Sequence, residues 1–196
     1  MRLTVKHFRT TILAASLAVA AASQTAFAAD GTITFTGRLT TQTCTISGNG
    51  GNNNFTVALP TISTSALATA GNVAGRTPFT FRLTGCAPNT GNVSIYFEPG
   101  GTIDTATGRL RNTVTAVTGS GNRPAVVPAG NVQIGVLNAN MTDVALGSAF
   151  ASQNSQQVAL AAGSATLQYY AQYVATGGAA TAGTFSTTAT YSVVYP

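Results

Sequence analysis

Side chains able to carry acid–base, nucleophilic or metal chemistry are scarce in this chain. Its 196 residues hold nine Lys or Arg, four Asp or Glu and a single His, for a net charge of +5. His7 lies close to the start, between Lys6 and Arg9, and the carboxylates are Asp30, Glu98, Asp104 and Asp143. Two carboxylates facing one another can hydrolyse a glycoside. Glu98 and Asp104, however, sit beside Pro99-Gly100-Gly101, which reads as a solvated turn. Ser and Thr are abundant, yet no base beyond residue 9 stands ready to activate one. No glycine-rich phosphate loop is present. Cys44 and Cys86 cannot complete a zinc site without histidines. The triplets Asn54-Phe55-Thr56, Asn92-Val93-Ser94 and Asn140-Met141-Thr142 match a glycosylation pattern that a Thr- and Asn-rich chain produces by chance. The expectation is a protein that is not an enzyme, with no catalytic residue, cofactor or metal.

The first residues read as an export signal. Arg2, Lys6 and Arg9 form a basic head, the run Ile12 to Ala22 is mostly apolar, and Ala26-Phe27-Ala28 supplies a small–x–small cleavage pattern. A run of that length is too short to span a bilayer. Cleavage after Ala28 leaves 196 − 28 = 168 residues, enough for one domain. Six arginines (Arg38, Arg76, Arg82, Arg109, Arg111 and Arg123) then face four acids, a net charge of 6 − 4 = +2. They form no basic stripe, so a nucleic-acid partner is not expected. Export also places both cysteines in an oxidising compartment, where a Cys44–Cys86 disulfide is the expected state. Closing a loop of about 43 residues restricts the unfolded chain by roughly 4 kcal/mol in the entropic account.

The elements that follow alternate with a period of two. Ile33, Phe35 and Leu39 do so first, then Phe79, Phe81 and Leu83, then Val93, Ile95 and Phe97. Val132, Ile134 and Val136 continue the pattern, and Tyr191, Val193 and Tyr195 close it. Gly, Asn, Pro and Ser clusters separate these runs, including Gly48 to Asn54 and Gly119 to Pro124. Short half-buried strands divided by turns predict an all-β sandwich. Ser63 to Val73 has room for one helical turn, and the tract Asn49 to Asn54 reads as a mobile loop tip. Both termini are alternating strands: Gly31 to Leu39 precedes Cys44 by only five residues, and Ala189 to Pro196 has no strand after it to cover its edge.

At these ends the chain resembles the chaperone–usher fimbrial subunits, the family of type 1 and related pili. The matching pieces are Gly31-Thr-Ile-Thr-Phe-Thr-Gly-Arg-Leu39 with Cys44 shortly after, Phe79-Thr-Phe-Arg-Leu-Thr-Gly-Cys86 and Val132-Gln-Ile-Gly-Val-Leu. Leu167-Gln-Tyr-Tyr-Ala-Gln-Tyr and Ala182-Gly183 ahead of the closing strand also match, with Gly183 fourteenth from the end and Tyr195 penultimate. Pro196 departs from the polar residue with which the family more often ends.

The resemblance implies an incomplete immunoglobulin-like sandwich that lacks its last strand and is completed by a donor strand from another chain. It divides the sequence into a signal peptide (1–28), a donor-strand extension (29–41) and a β-sandwich domain (42–196). Ile33, Phe35 and Leu39 would enter a neighbour's groove, with Gly37 where no side chain fits. Tyr191, Val193 and Tyr195 would line the receiving groove. The implied partners are neighbouring subunits, a periplasmic chaperone and an outer-membrane usher, and the implied destination is a fimbria at the cell surface. A strand of nine residues reaches about 30 Å. Three buried apolar side chains at roughly 2 kcal/mol each, with new backbone hydrogen bonds, give on the order of 10 kcal/mol, which suits a fibre that must not dissociate. The alternatives are a minor or tip-adapter subunit and, from another class, a monomeric carbohydrate-binding sandwich.

Overall fold

Ladders form where the alternating runs find partners. The computed structural model describes residues 33–39, 41 and 43–196, which belong to two compact units divided after Leu39. The proposed signal over residues 1–28 and the start of the extension lie outside the described residues.

In the larger unit the strands are β1 (Thr43–Gly48), β2 (Val73–Ala87), β3 (Asn92–Phe97), β4 (Ile103–Asp104) and β5 (Arg109–Arg111), followed by β6 (Val132–Asn138), β7 (Asp143–Val144), β8 (Gln157–Ala159), β9 (Ala165–Ala175) and β10 (Tyr191–Val194). One sheet runs β1-β2-β9-β6-β5-β4, with β7 also pairing β6, and the second runs β10-β3-β8. All of these pairings are antiparallel. The all-β expectation holds. The one helical turn foreseen near Ser63 is a 3-10 turn over Thr64–Leu67, capped by the Ser63 hydroxyl accepting from Ser65 N–H.

The period of two fills the space between the sheets. Phe79, Phe81 and Leu83 of β2 and Leu167, Tyr169 and Ala171 of β9 meet Val93, Ile95 and Phe97 of β3 in one buried cluster. Phe81, Phe97 and Tyr169 pack edge to face, with centroids 5.6–6.3 Å apart. Tyr169 is fully buried and shares a 2.8 Å hydrogen bond with Ser155. Burial pushes its phenol up to about 12. Gln153, also fully buried, accepts from Phe97 N–H and donates to Phe97 C=O, both at 2.8 Å, and so continues the edge of β3 where β8 stops.

The Asn-rich tip is better anchored than its composition suggested. Asn49 donates its N–H to Thr80 C=O and accepts from Thr80 N–H through Oδ1, which ties the turn after β1 to β2. Gly48 is required just before it, because a Cβ there would come within 1.9 Å of the Phe55 ring.

The smaller unit is described only over residues 33–39. This stretch has no regular secondary structure and joins no ladder among the described residues. Ile33, Phe35 and Leu39 are 79%, 89% and 100% exposed. The alternating strand foreseen here has no described partner, and a strand's hydrogen bonds all need one.

Candidate functional site: an apolar groove with unpaired walls

Between residues 53–59 and residues 185–191 the core of the sandwich is open to solvent. The groove has a volume of about 580 Å³, and its floor is Phe79, Phe81, Phe97, Leu110, Ile134, Val136, Ala171 and Tyr173, drawn from both sheets. One wall is the stretch Phe55-Thr-Val-Ala-Leu59, in which Phe55, Val57 and Leu59 turn inward and Thr56 and Ala58 outward. That is a strand's alternation without a strand's ladder: among the described residues no backbone hydrogen bond reaches residues 55–59.

The other wall, residues 184–190 leading into β10, is bonded along one edge only. Thr184 pairs with Val127 and Ala129, Ser186 C=O accepts from Thr113 N–H, and Thr190 C=O accepts from Glu98 N–H. In an extended chain successive residues aim their backbone groups at opposite edges. Phe185, Thr187 and Ala189 therefore direct theirs to the groove side, where no described residue bonds them. The side chains of Phe185, Thr187, Ala189 and Tyr191 all line the groove. The Thr187 hydroxyl is buried without a partner.

Gly183 explains its place in the resemblance. A Cβ at this position would lie 2.5 Å from Ala129 N and from the Pro128 carbonyl carbon, so only glycine lets the wall press against residues 127–129. At this end a second hollow of about 430 Å³, lined by Ile62, Leu67 and Val132, shares Tyr173 and Phe185 with the groove. Those two rings meet edge to face at 6.0 Å.

Of the three residues expected to line the groove, Tyr191 does so. Its ring packs 4.7 Å from that of Phe81, and its hydroxyl donates to Asn53 C=O at 2.7 Å, joining the two walls. Val193 and Tyr195 instead pack on the core beyond the hollow, and the Tyr195 hydroxyl donates to Cys44 Sγ at 3.3 Å. Burial raises the phenols of Tyr173, Tyr191 and Tyr195 above the ordinary tyrosine value. Cys44 and Cys86 are bonded, with Cα atoms 4.2 Å apart, as export predicted. The disulfide staples β1 to the end of β2.

The polar clusters elsewhere suggest no chemistry. Asp104 accepts from Ala106 N–H and from the Gln133 amide, and Arg111 lies 3.6 Å away. Its carboxyl is held below the usual range, chiefly by the Ala106 N–H. Among the described residues no group of His, Cys, Asp or Glu could hold a metal ion.

The sequence and fold of this chain resemble those of known proteins. A family model described as "Type-1 fimbrial protein, A" matches residues 59–196. The chain belongs to the type-1 fimbrial protein family. The major fimbrial subunit SMF-1 of Stenotrophomonas maltophilia (strain K279a) is 48% identical to this fimbrial protein over 181 residues, covering 90% of this chain and 99% of that one. The F17 fimbrial protein of Escherichia coli is 42% identical over 181 residues, covering 90% and 93%. The crystal structure of an antigen and type I fimbria protein of Burkholderia pseudomallei has a TM-score of 0.53 at 20% identity, covering 79% of this chain and 100% of that one. The fold is the immunoglobulin-like sandwich of fimbrial subunits, and the chain is a structural fimbrial protein.

Sequence reasoning missed most of this fimbrial protein's groove. Phe55, Val57 and Leu59 alternate as clearly as any run assigned to a strand, and that signal was legible. The Phe185–Ala189 wall carries one large apolar residue among Thr, Ser and Ala, so it has almost no periodic signal.

Proposed function

We propose that this chain is a repeating subunit of a surface fimbria and polymerises by strand donation, residues 33–39 of one copy filling the groove of the next. One complementarity carries the reading. The groove exposes an apolar floor between two walls whose inner backbone edges are unpaired, while Ile33, Phe35 and Leu39 stand exposed on an unpaired stretch. Exposed apolar clusters on a secreted protein call for a partner, and an added strand satisfies the walls and the floor together. Gly37 shares the parity of the three apolar residues and would enter the groove where a side chain does not fit. Residues 1–28 act as the cleaved signal, residues 29–41 as the extension and residues 42–196 as the receiving domain. A periplasmic chaperone holds the groove before assembly, and an outer-membrane usher is where the exchange takes place. Membership in the fimbrial family favours this role over a monomeric carbohydrate-binding sandwich.

The test uses two readouts. Phe35→Asp puts an unpaired charge into an apolar groove, at a cost of several kcal/mol on the order of that for any buried charge. It should abolish donation into fibres while leaving the Cys44–Cys86 bond and chaperone capture intact. The Arg38–Leu39 bond should be cut by trypsin in the isolated subunit and protected in the fibre. Unfolding of Phe35→Asp even with chaperone supplied, or cleavage at Arg38 in intact fibres, would show that the strand does not work in a neighbour.

A further inference from the structure

Resting on that reading, we infer that Asn112 is the positioning residue of the groove, setting the place of the wall that receives the incoming strand. Asn112 follows β5 and lines no hollow itself. Its amide uses all four of its hydrogen-bonding positions. Oδ1 accepts from Val114 N–H at 3.2 Å and from Ser186 N–H at 3.1 Å. Nδ2 donates to Ala129 C=O at 3.0 Å and to Thr184 C=O at 2.8 Å. A side chain with two donors and two acceptors is the type that can join three backbone segments at one point.

What it joins is the part of the wall that has no ladder. The parallel bridge between Pro128 and Thr184 ends on one side, and β10 begins at Tyr191 on the other. Between them two backbone bonds, from Thr113 N–H to Ser186 C=O and from Glu98 N–H to Thr190 C=O, are joined by side chains: Asn112 on Thr184 and Ser186, the Thr113 hydroxyl on Ser186 C=O at 2.8 Å, and the Thr102 hydroxyl on Thr188 C=O at 2.7 Å. Phe185 is the residue between the two that Asn112 grips. Its ring lines both hollows, and its backbone groups face the unpaired side. Asn112 therefore places one ring and one pair of free backbone groups against which a strand must dock. Thr113 adds two bonds to Ser186 C=O but cannot satisfy Ser186 N–H, and Thr102 acts further along the wall.

The experiment compares the mature, disulfide-intact subunit with Asn112→Asp, using a synthetic peptide of residues 31–39 as the probe. The carboxylate keeps both acceptor bonds, loses both donor bonds and sets a charge against two carbonyl oxygens. Affinity for the full peptide should fall about tenfold or more. Two further peptides, each shortened by two residues at one end, supply a readout that a general loss of stability would not move. The penalty should vanish for the peptide lacking the end that docks at Phe185 and persist for the other. An equal penalty on both shortened peptides, or unchanged affinity for the full one, overturns the assignment to Asn112. If the unsubstituted subunit binds none of the peptides, strand donation itself fails, which is a separate outcome. Should Asn112→Asp not fold, Asn112→Ser, which keeps one short polar group, is read by the same pair of shortened peptides.

Discussion

Strands β9 and β10 are built from similar residues and live in opposite conditions. Strand β9 pairs with β2 along one edge and with β6 along the other, and Leu167, Tyr169, Ala171, Val174 and Ala175 on it are buried. Among the described residues strand β10 pairs with β3 alone, and Tyr191, Val193 and Val194 remain half-buried. The apolar residues of β9 have spent their packing inside the domain, whereas those of β10 and of the wall before it keep part of theirs for something else. A sheet normally covers or charges such an edge. Here neither happens: no charged residue lies between Gly178 and Pro196. A bare edge is what the proposed donation of a strand by another copy requires.

The comparison can be broken most directly in the core. Leu167→Ala on β9 should cost roughly 2–5 kcal/mol by cavity formation, measured by denaturant unfolding, and the loss should be the same with or without the residue 31–39 peptide. Val193→Ala on β10 should cost only about 1 kcal/mol in the free subunit. A Val193→Ala penalty as large as that of Leu167→Ala would erase the distinction.

Alkali probes the buried side alone. The Tyr169 phenol titrates at about 12 in the folded chain against about 10 when unfolded. Its folded value is the raised one, so its contribution is fully present below pH 10 and is lost as pH rises toward 12. Stability should fall by roughly 2–3 kcal/mol across that window, and Tyr169→Phe should flatten the fall.

Gly183→Ala tests whether the wall must press on residues 127–129. A Cβ with no room should cost roughly 1–3 kcal/mol and also weaken peptide binding. Loss of stability with unchanged binding would separate the wall's packing from its function.

The finest discrimination comes from amide exchange. The N–H groups of Phe185, Thr187 and Ala189 should exchange quickly in the free subunit and slow down on peptide binding, while those of β9 stay protected in both. Early protection at Phe185 without peptide would mean that the edge is already paired.

Much of this was legible in the chain, because period-two alternation is a local property and survives into the fold. Phe79 to Leu83, Val93 to Phe97, Val132 to Val136 and Tyr191 to Val194 all lie in strands, and export chemistry was enough to pair Cys44 with Cys86. The exposure of Ile33, Phe35 and Leu39 was not written in their spacing, since alternation predicts one buried face and every residue from 33 to 39 is exposed. Tertiary structure alone decided the groove. Its floor gathers β2, β3, β5, β6 and β9, and its far wall is a Thr-, Ser- and Ala-rich stretch held by Asn112, Thr113 and Thr102 from distant parts of the chain. Nothing local marks Asn112 as different from the chain's other asparagines. One of its four bonds is local, from Val114 N–H; the other three exist only once residues 112, 129 and 184–186 meet, across separations of 17, 72 and 74 residues that leave no period for a sequence to show.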